Sequence, residues 1–98
     1  MSKETTRINK KISEDEKIVN ACEDSVLNLS TILNSLKLLK KSIRKVYPEN
    51  DMTKELAETI LAVTADVTAM KIEIEEVASD TADEINKLIR ELKEAKNE

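Results

Sequence analysis

Among 98 residues there is no Gly, Trp, Phe or His, and only one Pro, one Tyr and one Cys. Soluble domains average about 7% Gly and 5% Pro, because tight turns draw on Gly's positive φ and Pro's fixed φ. A chain so poor in both makes very few turns, which excludes a β-sandwich, a barrel or a doubly wound α/β domain. Without His, the lone Cys22 excludes an ordinary zinc site, and having no second Cys excludes an internal disulfide. No Gly-rich loop is present to cradle a phosphate, no aromatic platform to stack nucleic-acid bases, and no nucleophile has an activating partner. Neither catalysis nor a cofactor nor a metal is expected.

Charge and hydropathy narrow the classes further. Sixteen basic against 20 acidic residues leave a net charge of −4, whereas general nucleic-acid binding needs a basic surface. The least charged stretches are interrupted by Lys37, Glu58 and Asp66, so no membrane span is expected. The start, MSKETTRINKK, is charged and lacks the apolar core of a cleavable signal peptide. A cytoplasmic protein is expected, with any export leaderless.

What the chain does contain is 37% charged and 40% apolar residues, the composition of long helices and coiled coils. Ile8, Ile12, Val19, Cys22, Val26, Leu29, Leu33, Leu36, Ile43 and Tyr47, with Asp15 and Lys40 filling the gaps, follow a four-three alternation. That is a heptad seam and predicts a first helix over about 5–47. Ser13–Glu16 also matches a capping box and offers an alternative start. Pro48 disfavours helix at Tyr47, and Lys40, Lys41, Arg44 and Lys45 suit a helix C-terminus. A turn is expected at 48–51, with Asn50 or Asp51 capping a second helix over about 52–95. Its seam reads Met52, Leu56, Ile60, Val63, Val67, Met70, Ile74, Val77, Thr81, Ile85, Leu88, Leu92 and Ala95. The consecutive fours at Val77–Thr81–Ile85 form a stutter that allows a kink at 79–83.

The two seams fit each other as an antiparallel pair. Ile43 with Leu56, Leu36 with Val63 and Leu29 with Met70 have position numbers adding to 99; Leu33 with Val67, Val26 with Ile74 and Ile12 with Leu88 add to 100. The expected fold is all-α: one domain over 1–98, a long antiparallel two-helix hairpin, completed as a four-helix bundle with itself or a partner.

That completion follows from apolar residues left outside the seams. Ile18, Leu27, Ile32, Leu38, Leu39 and Val46 lie beside the first seam, and Ala57, Leu61, Ala62, Ala65, Ala69 and Ile72 beside the second. A belt this wide exceeds what a two-helix protein leaves exposed, so these twelve residues are the expected partner interface. The competing reading folds residues 1–12 back to make a three-helix core. The other candidates have plain explanations. Asp15 is expected at a ragged, solvated end. The acidic run Glu73–Glu84 lacks the loop of a calcium site. The basic cluster Lys37–Lys45 is expected to pair with Glu55 and Glu58 across the hairpin. Cys22 is expected to pack as a small core residue against Val77.

Length near one hundred, two helices and the short turn at Tyr47-Pro48-Glu49 resemble the small helical hairpins of type VII secretion, the WXG-type (ESAT-like) proteins and the helical partners of LXG toxins. The family's Trp-x-Gly turn is absent. Its Tyr-x-x-x-Asp/Glu export motif is matched by Tyr47 and Asp51, although in the family it follows the second helix. The resemblance implies a non-catalytic adaptor or chaperone-like partner that binds another helical protein, most concretely a type VII-secreted toxin. A second class, similar to the plasmid Rop hairpin, is a homodimeric four-helix-bundle regulator or phage or plasmid accessory protein.

Overall fold

The computed structural model describes residues 2–46 and 50–97, with the side chain of Val46 excepted. Two long helices pack against each other as an all-α helical hairpin: α1, Lys3–Val46, and α2, Asp51–Asn97. The expected turn residues Tyr47, Pro48 and Glu49 lie outside the described residues. Packing divides the chain into two units, one joining residues 1–24 to 74–98 and the other comprising 25–73.

Side-chain caps fix both helix starts. Ser2 Oγ accepts from the Thr5 backbone N–H at 3.1 Å and pairs with Thr5 Oγ1 at 2.8 Å, so α1 begins at Ser2 and not at the Ser13 box. Asn50 opens α2: its Oδ1 accepts from the Thr53 N–H at 3.0 Å, and its own N–H donates to Thr53 Oγ1 at 2.8 Å. This is a reciprocal capping box with Thr in place of the usual Glu.

In unit 1 the inward row of α1 is Thr5, Ile8, Ile12, Asp15, Val19 and Cys22, facing Ile74, Ala78, Thr81, Ile85, Leu88, Leu92 and Ala95 of α2. In unit 2, Val26, Leu29, Leu33, Leu36, Lys40 and Ile43 face Thr53, Ala57, Ile60, Thr64, Val67 and Lys71. The α1 seam thus falls where its spacing placed it, through position 43. Since residues 3–46 are one helix, the fold-back of residues 1–12 into a third helix does not occur.

The α2 seam differs from the expected one. Met52, Leu56, Val63, Met70 and Val77 are 40–72% exposed, while Thr53, Ala57, Thr64, Lys71 and Ala78 turn inward in their place. The apolar face of α2 is two rows wide, 60-67-74 and 56-63-70-77, and only the first lies on the four-three count that Ile85, Leu88 and Leu92 also obey. The count then runs from Thr53 to Ala95 without a stutter, and α2 is helical through 79–83. One register follows: every inward pair, Ile43 with Ala57 or Leu36 with Thr64, adds to 100. At these two levels a large α1 side chain stands opposite a small α2 one, and Thr64 Oγ1 donates to its own helix at the Ile60 carbonyl, 2.7 Å away, so this inward hydroxyl is satisfied. Cys22 is half-buried, and Ala78, not Val77, is the inward residue at its level.

Asp15 is also corrected. It is 2% exposed, because α1 starts twelve residues earlier and position 15 sits inside the paired seam. Its Oδ1 lies 3.9 Å from Lys11 Nζ, while Oδ2 is buried with no hydrogen-bond partner.

Candidate docking surface

Each helix exposes two flanks beside its inward row. In an antiparallel pair with heptad positions a and d inward, the g positions of both helices share one side and the e positions the other. Lys11 and Glu84 show which flank is which: both are g positions, and Lys11 Nζ lies 3.8 Å from Glu84 Oε1 across the helices of unit 1.

In unit 2 the g flank carries Ile32 and Leu39 from α1 and Leu56, Val63 and Met70 from α2, all 40–51% exposed. Beside them the next row of α1 is Asn28, Ser35 and Ser42, uncharged and short. The next row of α2 is Met52, Thr59, Asp66 and Glu73. The opposite flank carries Ser30, Lys37 and Arg44 beside Lys54, Leu61 and Thr68, and the rows next to it carry Leu27 and Ile72, 67% and 52% exposed. Unit 2 therefore has a continuous row of large apolar side chains along its g flank, beside its own seam, with Leu27, Leu38, Leu61 and Ile72 exposed elsewhere on its surface. At ~25 cal/mol per Å², covering five half-exposed large apolar side chains is a substantial driving force.

The sequence-expected interface residues distribute as follows. Ile18, Leu27, Ile32, Leu38, Leu39, Leu61, Ala62, Ala65, Ala69 and Ile72 are exposed. Ala57 turns inward between the helices, so it is not part of an outer face. The side chain of Val46 and all of Tyr47 lie outside the described residues, and Asp51 is the exposed first residue of α2. Among the described side chains of these, Ile32 and Leu39 stand on the g flank of unit 2. Leu56, Val63 and Met70 were missed as surface residues because their apolar character suited the seam. Counting α2 strictly by fours and threes from its C-terminal half would have placed them outside.

Among the described residues no charge of unit 2 is in an ion pair. Between Ser25 and Val46, α1 carries Lys37, Lys40, Lys41, Arg44 and Lys45 and no acid. Among the described residues the ion pairs are Lys11–Asp15 and Lys11–Glu84, so the expected pairing of the basic cluster with Glu55 and Glu58 does not form. A shallow hollow lined by Met52, Glu55, Leu56, Glu58, Thr59 and Ala62 lies on α2 alone and is a gap between side chains of one helix. Among the described residues no His, Cys, Asp and Glu side chains group as a metal site, and no helix is long and apolar enough to cross a membrane. No protein-family model, curated protein or solved structure matches the chain.

Proposed function

We propose that this protein is a non-catalytic helical adaptor whose unit 2 receives another helical hairpin along its g flank. The observation that carries the reading is the exposure of Ile32, Leu39, Leu56, Val63 and Met70 on one side of two paired helices. Helices cover such a face with the least unsatisfied polar surface, because their backbone groups are already bonded internally. The short side chains of Asn28, Ser35, Ser42 and Thr59 beside that flank permit close approach of a second pair of helices. Export partnership with a type VII-secreted toxin is the most concrete version and draws on chain length and hairpin form.

Leu39→Glu and Val63→Glu test the reading. Both residues are half-exposed, so each variant should keep its helix content. Light scattering of the protein alone, and mixed with the proteins encoded beside it, should show an assembly that both variants dissolve. Unchanged masses in every mixture would overturn the docking role.

A further inference from the structure

We infer that the outward face of α1 in unit 2 docks on an anionic lipid surface, with Leu27 and Leu38 entering its headgroup layer. This face is separate from the g flank and is not used in receiving a helical partner there. Leu27 and Leu38 are 67% and 56% exposed and stand three helical turns apart, so they share one side of α1. That side is turned away from α2, and Lys41 and Lys45 occupy the same two rows. Lys37 and Arg44 line the flank beside them, and all four cations are exposed.

Two plainer roles do not account for these bases. Compensation of the helix dipole acts within the last turn, which holds Arg44 and Lys45 but not Lys37 or Lys41. Pairing with acids of the hairpin does not occur, since among the described residues the ion pairs are those of Lys11. The charge of unit 2 is instead divided between its helices. From Ser25 to Val46, α1 has no acid, while the α2 part carries Asp51, Glu55, Glu58, Asp66 and Glu73 against Lys54 and Lys71. A negative surface therefore attracts the α1 side of the unit and repels the α2 side, which sets the orientation of docking. An anionic bilayer suits both residue types on the α1 face. Lys and Arg stems are long enough to put their charges on lipid phosphates while the leucines sink beside them. A nucleic acid would take the cations but leave Leu27 and Leu38 in water. Its bases would also find no stacking platform in a chain with one aromatic residue.

The test is co-sedimentation of the full chain with vesicles of phosphatidylserine and phosphatidylcholine in equal parts. Binding should appear on these vesicles, be absent on phosphatidylcholine alone, and weaken as salt is raised. Each base near an anionic surface multiplies partitioning about fivefold, so Lys37→Gln with Lys41→Gln should lower it about 25-fold. Leu27→Ser with Leu38→Ser should lower it about tenfold at unchanged charge. Glu55→Gln with Glu58→Gln, on α2, should leave it within about twofold. All these positions are exposed, so circular dichroism should report the same helix content in every variant. No binding to the mixed vesicles, or equal binding to phosphatidylcholine alone, would overturn the proposal. Undiminished binding by either α1 pair variant would overturn it too. If the leucine pair alone is undiminished and duplex DNA competes with the vesicles, the face is a general polyanion site instead.

Discussion

Among the described residues, 1–24 with 74–98 bury Thr5, Ile8, Asp15 and Leu88, whereas 25–73 bury Ile60. The exposed large apolar side chains divide the opposite way. Ile18, Val77 and Ile89 belong to the first unit; Leu27, Ile32, Leu38, Leu39, Met52, Leu56, Leu61, Val63, Met70 and Ile72 to the second. Both units use the same heptad, the same antiparallel pairing and the same register. What differs is the residue type placed beside the seam. Where unit 1 has Lys11 and Glu84 bridging its g flank, unit 2 has Ile32, Leu39, Leu56, Val63 and Met70. The seam specifies the hairpin in both units, and the flank distinguishes a unit with an ion pair beside two exposed apolar residues, Ile18 and Val77, from one whose flank is uncharged throughout.

Truncating one apolar residue in each unit is the most forceful way to break that contrast. Ile8 is 1% exposed and Leu27 is 67% exposed. Ile8→Ala should cost about 2–4 kcal/mol, the transfer loss plus the cavity left in a seam that cannot collapse. Leu27→Ala should stay within about 0.5 kcal/mol, since it removes little packed surface. Urea unfolding midpoints measure both, and equal losses would erase the difference between the units.

Asp15 is the exception inside the closed unit. Its Oδ2 has no partner, and its Oδ1 is 3.9 Å from the nearest cation, too long for a hydrogen bond. Replacing a poorly satisfied buried ionic group by an apolar one is neutral to stabilising. Asp15→Leu should therefore raise stability by about 1–2 kcal/mol, opposite in sign to Ile8→Ala at a neighbouring level. Asp15→Asn, which keeps a buried polar group, should bring no such gain. A loss with Asp15→Leu would mean the carboxyl is held better than its two oxygens indicate.

How much of this was legible in the sequence varies along the chain. The absence of turn residues and the four-three spacing from Ile8 to Ile43 were enough for two helices, their antiparallel pairing and the α1 seam. The α2 seam was misread between Met52 and Val77 because hydrophobicity alone ranks Leu56 above Ala57 and Val63 above Thr64. Packing ranks them otherwise, since Ile43 and Leu36 on α1 already fill the level and a small residue opposite them suffices. The stutter at Thr81 was a product of that misreading. Asp15 was assigned to solvent on its polarity, although its place on the heptad count was visible. Excess apolar surface in the middle of the hairpin was legible; the row that Leu56, Val63 and Met70 add to its g flank was not, because that depends on which of two adjacent α2 rows turns inward.

The ion pairs beside Asp15 give the smallest effect and the finest test of how closed unit 1 is. Lys11 is half-exposed and Glu84 equally so, with 3.8 Å between their charged atoms, a geometry in which exposed pairs contribute ~0–1 kcal/mol. Glu84→Gln should therefore cost no more than about 0.5 kcal/mol. Lys11→Met keeps most of the aliphatic stem but removes the cation that lies within 4 Å of both Glu84 and the buried Asp15. It should cost more, about 1 kcal/mol, because the second contact is to a group that water does not reach. The interaction energy in a double-mutant cycle of Lys11→Met with Asp15→Leu isolates that contact. If Lys11→Met costs the same whether position 15 is Asp or Leu, the buried carboxyl receives nothing from Lys11, and the lysine belongs to the solvated rim alone.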